Sequence, residues 1–225
     1  HYLYFHPAKG RANCTETCYY QIPKPGSQTF EGTYEAAQSK LQELLAKSVE
    51  RRLVADVPLG AFLSGGIDSS VIVAIASQYT SHLNTFSIGY KDEPMYDETI
   101  YAKMVADKYK TNHTVFELSN DDLYGNLFNV LDYLDEPFAD SSALAVNILS
   151  QYTRKHVTVA LSGDGADEMF AGYNKHRAEW MVRNKPLFTQ SVKIASPLLS
   201  PFSGARNSPL ANKIRQLHRY ATGSR

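Results

Sequence analysis

The sequence predicts an α/β fold, a doubly wound and mostly parallel sheet with helices on both faces. Three observations carry that expectation. From residue 33 onward, short β-rich runs alternate with helix-length segments of 3.6-residue periodicity, the pattern of parallel strands joined by helical crossovers. The run Val157–Leu161 is apolar almost throughout, as in a strand buried on both faces. Two strand-to-helix turns, after Leu63 and after Leu161, share a chemistry of Ser, Gly and carboxylates. In sheets of this kind ligands bind beyond the carboxyl ends of the strands.

The elements follow in order. His1 to Phe5 reads as the end of a strand whose beginning lies elsewhere, and residues 6–32, rich in Pro, Gly, Thr and Lys, read as a linker or covering segment. From Thr33 the spacing of Leu41, Leu44, Leu45, Val49 and Leu53 predicts a helix. A strand over Gly60–Leu63 feeds a helix from Asp68 to Tyr79, and Asn84–Gly89 is a second strand. Tyr96–Tyr109 is predicted helical with Ile100, Met104 and Val105 on one face, and His113–Leu118 alternates as a third strand. Ser119 caps the next helix, with Asp121 and Asp122 in its first turn and Leu123, Leu127, Val130, Leu131 and Leu134 on the expected buried face. A helix over Ala143–Arg154 precedes the apolar strand. The segment Ser196–Asn212 is dense in Pro, Ser and Gly and is expected to be the least ordered part.

Bulk properties exclude several classes. With 23 basic and 23 acidic residues in 225, the net charge is zero, so the electrostatic footprint of a nucleic-acid binder is missing. Apolar runs are too short to span a bilayer. Cys14 and Cys18 lack the spacing of a zinc or redox pair. They read as free thiols of a reducing compartment, which makes a cytoplasmic location the expectation. The seven histidines form no metal-binding pair on a helix face.

The first turn, Ser64-Gly65-Gly66-Ile67-Asp68-Ser69-Ser70, joins a strand to a helix N-terminus. Free N–H groups and the helix dipole favour an anion there. Gly65 and Gly66 let the backbone turn and approach it closely. Ser64, Ser69 and Ser70 add hydroxyl donors, whereas Asp68 would repel a bare phosphate. A carboxylate in that place suits a Mg²⁺ that shares phosphate oxygens. The turn therefore reads as a site for Mg²⁺ and a nucleotide polyphosphate, although Ser and Asp are also ordinary capping residues. It is neither a Walker A loop nor a dinucleotide fingerprint.

The second turn places Asp164, Asp167 and Glu168 within five positions, bracketed by Gly163, Gly165 and Gly172. Acids favour the first turn of any helix, but two such turns in one sheet would bring Asp68 and Asp167 towards one point. Two carboxylates from different loops are a natural clamp for Mg²⁺.

The first turn resembles the S-G-G-x-D-S loop of the PP-loop ATP pyrophosphatases, enzymes of adenine nucleotide alpha hydrolase-like fold that cleave ATP between its α and β phosphates. With S-G-[DE]-G-x-D-E-x-F-x-G-Y about a hundred residues later, the pair resembles the synthetase domain of glutamine-dependent asparagine synthetases and of related β-lactam synthetases. Val57–Gly60 and Leu134–Asp140 fit the same pattern, and the resemblance covers residues 33–180. It implies that Leu63, Ser64, Gly65, Gly66, Asp68 and Ser69 form a pyrophosphate loop. It further implies that Ile88 contacts the adenine, and that Ser162 and Gly163 touch the nucleotide. Asp68 and Asp167 would be the Mg²⁺ ligands. Asp164 stands where several members carry Glu and would handle ammonia or the intermediate. Glu168 and Tyr173 would line the acceptor side.

The implied reaction is ATP-dependent amidation of aspartate to asparagine through a β-aspartyl adenylate, with ammonia supplied from glutamine. Residues 1–32 would then be the tail of a glutaminase domain plus a linker, and residues 33–225 an ATP-binding synthetase domain continuing beyond Arg225. His1 is not the cysteine that hydrolyses glutamine, and the family's downstream lysine and V-P-F-L-D-like segment have no match. The chain is therefore expected to fold without making asparagine by itself. The resemblance leaves a homodimer open. Competing readings are another PP-loop amide-forming enzyme acting on a different carboxylate, or a nucleotide-binding module without catalysis. A tRNA-thiolating enzyme is disfavoured by the neutral charge and the missing cysteine pair.

Overall fold

The computed structural model describes residues 1–6, 13–24, 26, 29–136, 140–187 and 190–191, and the chain divides into two units, His1–Ser48 and Val49–Arg225. The predicted low-order segment Ser196–Asn212, and Pro137–Ala139 of the middle motif, lie outside the described residues.

In the first unit, β1 (Tyr2–His6) pairs antiparallel with β2 (Asn13–Thr17), Tyr2 opposite Thr17 and Phe5 opposite Cys14. β2 falls inside the stretch read as a linker. Its sequence, Asn-Cys-Thr-Glu-Thr, is short and polar, and pairing with β1 decides its conformation where propensity does not. Cys14 and Cys18 are free and exposed. The helix α1 (Tyr34–Arg52) starts where Thr33 Oγ1 accepts the Ala36 N–H at 3.2 Å. Its expected apolar face is used only near its end: Leu41 and Leu44 are exposed, while Val49, in the second unit, is buried.

The second unit is a four-stranded parallel sheet in the order β5-β4-β3-β6. Its elements are β3 (Leu59–Phe62), α2 (Ile67–Tyr79), β4 (Asn84–Tyr90), α3 (Thr99–Tyr109), β5 (Asn112–Leu118), α4 (Asn120–Asp132), α5 (Ser142–Thr153), β6 (Val159–Leu161), α6 (Ala166–Phe170) and α7 (Asn174–Asn184). The chain steps outward from β3 to β4 to β5, then returns past both to place β6 on the far side of β3. The helices α2 and α3 pack on one face and α5 on the other, as right-handed crossovers on either side of β3 would place them. Ala61 and Leu63 pack with Val73, Ala76, Ala102 and Ala106 on the first face. On the opposite face Phe86 and Phe116 stack at 6.1 Å, and Phe116 meets Tyr152 of α5 at 5.2 Å. Helices thus cover both faces, as the sequence predicts. No helix among the described residues is long and apolar enough to cross a membrane.

The structure refines several expectations. The helix predicted over Tyr96–Tyr109 is present as α3 from Thr99, preceded by a 3-10 turn at Pro94–Tyr96. The side chains of α3 that face the core are Ala102 and Ala106, with Val105 half-buried, while Ile100 and Met104 stay exposed. Small residues there let the helix lie close to the sheet, and large ones would hold it off. On α4 only Val130 is buried, with Leu123 partly so, Leu127 and Leu131 are exposed, and Leu134 lies past the helix end, half-buried. α4 packs chiefly on α5 and not on the sheet. Finally, among the described residues β6 pairs with β3 alone, and Val159 is 40% exposed on it.

Candidate functional site

The strand order reverses between β3 and β6, the point at which a doubly wound sheet opens a crevice for ligands. Ala61 pairs with Leu161, so the two turns singled out in the sequence leave neighbouring strands at the same level.

At the first turn Leu63 is buried and its N–H donates to the Phe86 carbonyl at 2.9 Å. Gly65 then takes φ +83°, a left-handed value that disfavours side chains, and a Cβ there would stand 2.5 Å from the Ala102 nitrogen. Gly65 therefore serves both the reversal and the close seating of the turn on α3. Hydroxyls lace the turn internally. Ser64 Oγ lies 3.0 Å from Ser69 Oγ and accepts the Gly66 N–H at 3.2 Å, and Ser69 Oγ accepts the Ser64 N–H at 3.2 Å. No side-chain cap closes the N-terminus of α2 at Gly66, which leaves its first-turn amides to an anion. Asp68 is exposed in that first turn.

The second turn is folded by its own polar groups. Ser162 Oγ donates to Asp164 Oδ2 at 2.7 Å and accepts the Asp164 N–H at 3.3 Å. Gly165 takes φ +88°. Gly163 is the point of closest approach between the turns: a Cβ there would lie 2.8 Å from the Asp68 carbonyl carbon and the Ser69 nitrogen. Asp167 stands at the start of α6, and Gly172 leaves room for it, since a Cβ at 172 would overlap Asp167 Oδ1. The Tyr173 hydroxyl donates to Glu168 Oε1 at 2.7 Å. That bond holds the Glu168 carboxyl below its ordinary range and pushes the Tyr173 phenol up to about 12, with some help from burial and the charges of Glu168, Asp167 and Asp140. At neutral pH the pair is a carboxylate oriented by a phenol.

Among the described residues no group of three or more His, Cys, Asp or Glu side chains gathers to hold a metal. Two carboxylates on adjoining turns would supply only part of a Mg²⁺ shell, which is how that ion is held when substrate phosphates and water complete it.

Beside the first turn a pocket of about 410 Å³ opens between the ends of β3 and β4 and the N-terminal half of α5. Leu63, Ser64 and Ile88 line it with Phe62 and Phe86, and Tyr90, Glu98, Ser141 and Ser142 add polar groups. Leu63, Ser64 and Ile88 are thus brought together, as are Asp68, Ser69 and Gly163, and Glu168 and Tyr173. Asp164 is turned onto Ser162. Sequence reasoning misses the α5 contribution, although Ser141 and Ser142 directly follow the middle motif and mark its place.

The family model for asparagine synthase matches residues 40–223. Curated relatives agree with it. A putative asparagine synthetase [glutamine-hydrolyzing] 2 from Methanocaldococcus jannaschii is 41% identical over 78% of this chain and 35% of its own length. A putative asparagine synthetase [glutamine-hydrolyzing] from Mycobacterium bovis is 37% identical over 73% of this chain and 26% of its own length. The asparagine synthetase [glutamine-hydrolyzing] 1 of Bacillus subtilis is 38% identical over 66% of this chain and 24% of its own length. The chain therefore spans about a third or less of the relatives it matches. Since the family model covers most of its residues, including both turns at the β3/β6 switch point, the chain belongs to the asparagine synthase family.

Proposed function

We propose that this chain is the ATP-binding core of an enzyme that converts aspartate to asparagine, cleaving ATP to AMP and pyrophosphate. The observation that carries the reading is the seating of Gly163 on the Asp68–Ser69 backbone, which joins the two motifs into one crevice. The adenosine part of ATP would take the pocket at Ile88, Leu63 and Phe86, and Ser162 and Gly163 would touch the nucleotide from the second turn. The phosphates then meet the amides of Gly66 to Ser69 and the hydroxyls of Ser64 and Ser69.

A carboxylate is a poor electrophile, because attack on it adds charge to an anion. The aspartate side-chain oxygen attacks the α-phosphorus, the α–β bridging bond breaks, and pyrophosphate leaves. Ammonia attacks the resulting acyl adenylate, loses a proton, and expels AMP. Amides and hydroxyls at the first turn offset charge repulsion on approach and stabilise the departing pyrophosphate. Asp68 and Asp167 are the residues that would hold Mg²⁺, which when bound neutralises phosphate oxygens in such reactions. Glu168, held by Tyr173, is suited to the amino group of the acceptor, and Asp164 would handle ammonia or the intermediate. The relatives' printed names supply the nitrogen source by analogy: ammonia from glutamine, made by a glutaminase domain of which residues 1–32 would be the tail. Residues 33–225 would then be the synthetase part.

The test of the acceptor is pyrophosphate release from MgATP with ammonium as nitrogen source, comparing aspartate, glutamate and neither. In the longer polypeptide, release should depend on aspartate. Release with another carboxylate in its place would reassign the site to a different amide-forming ligase. This chain alone is expected to bind nucleotide without robust asparagine formation.

A further inference from the structure

Four polar side chains, Thr111, Thr85, His113 and Ser87, have no role in the chemistry above, although Ser87 is also among the residues lining the pocket. Thr85 and Ser87 of β4 are 0% and 4% exposed. Register sets Thr85 beside His113 of β5. Thr85 Oγ1 lies 2.8 Å from Thr111 Oγ1 and 2.9 Å from His113 Nδ1, and His113 Nε2 lies 3.4 Å from Ser87 Oγ. The Ser87 hydroxyl donates to the Leu63 carbonyl.

The proton directions follow from that last bond. A carbonyl only accepts, so the one hydroxyl proton of Ser87 is committed to Leu63. Towards His113 the Ser87 oxygen must accept, which places a proton on Nε2. In the neutral ring Nδ1 then accepts from Thr85, and Thr85 accepts from Thr111. Burial favours that neutral ring and pushes the His113 pKa below its ordinary 6.5, with Lys103 acting the same way and a hydrogen bond to the Thr85 backbone and the charge of Asp107 opposing. The chain Thr111, Thr85, His113, Ser87 thus runs one way and ends on Leu63.

Leu63 is the residue before the turn. Both of its backbone polar groups are held by β4, the N–H by the Phe86 carbonyl and the C=O by Ser87. The Leu63 carbonyl shares a peptide plane with the Ser64 N–H, and that N–H donates to Ser69 Oγ across the turn. A planar peptide cannot rotate one group without the other. We propose that Ser87, backed by His113, is a positioning residue that fixes the Leu63–Ser64 peptide plane and thereby aims the Ser64–Ser69 turn at its ligand. Its value to the reaction rests on the reading of that turn as a phosphate site.

Amide hydrogen exchange followed by NMR on the 225-residue chain, with a MgATP titration beside it, tests the assignment. Ser87→Ala should speed exchange of the Ser64–Ser69 amides about tenfold relative to β5 amides such as Val115, as local opening without global unfolding requires. Ser87→Thr, which keeps the hydroxyl, should return exchange to the original rate. Thr85→Val, which preserves shape and breaks the chain two links upstream, should give a smaller change in the same amides. MgATP affinity should fall about fivefold in Ser87→Ala and recover in Ser87→Thr, a loss of roughly 1 kcal/mol by the usual tenfold-per-1.4 conversion. Unchanged turn amides in Ser87→Ala, or equal acceleration across β4 and β5, would overturn the positioning role. If the turn amides respond as stated while the unaltered chain binds no MgATP, the relay stands and the nucleotide reading of the turn falls.

Discussion

A Cβ at Gly163 would stand 2.8 Å from two backbone atoms of the first turn, and backbone cannot yield as the end of a flexible side chain can. Gly163→Ala should therefore separate the turns. Overpacking of this kind costs about 1–3 kcal/mol, and urea unfolding would read it. MgATP affinity should fall further than the stability loss explains, because the distortion is centred on Asp68 and Ser69. Gly125 supplies the contrast: it lies inside α4, where an added Cβ would meet nothing within 4 Å. Gly125→Ala should raise stability by roughly 0.5–1 kcal/mol through lost backbone freedom in the unfolded chain. Stability gained at Gly163 or lost at Gly125 would contradict the packing described.

The helix α4 shows which parts of an element a sequence discloses. Ser119 and Asp122 form a reciprocal capping box, with the Asp122 N–H donating to Ser119 Oγ at 3.2 Å and the Ser119 N–H to Asp122 Oδ2 at 2.8 Å. Ser119→Ala should cost about 1 kcal/mol, seen as a lower denaturation midpoint, and an unchanged midpoint would show the cap to be idle. The cap is legible because its chemistry is local to four residues. The buried face is not, because periodicity identifies a candidate stripe without naming what covers it. On α3 the spacing points to Ile100 and Met104, yet the close approach of that helix selects Ala102 and Ala106. β2 is hidden for a related reason, since pairing with β1 and not its own composition makes it a strand. The apolar run of β6 implies burial on both faces, but its place beside β3, last in the order of the described strands, depends on topology that no single strand encodes.

At the scale of the whole unit, one topological fact organises the site. The chain builds β3, β4 and β5 outward, then returns to lay β6 beside β3, so the two Ser-Gly-Asp turns emerge together although about a hundred residues separate them. Both turns can be read from sequence because their residue types are local and unusual. The α5 wall of the pocket and the His113–Ser87 chain cannot, because each depends on strand register and on which face a crossover covers. Everything proposed for the site depends on the first turn binding the phosphates of ATP. Calorimetric titration of MgATP into the 225-residue chain, beside its Ser64→Ala variant, tests this most directly. A hydrogen bond to a charged group contributes about 1.5–3 kcal/mol. The unaltered chain should bind MgATP, with an affinity roughly ten- to hundredfold weaker in the variant. Absence of binding, or equal affinity in both, would contradict that role of the turn.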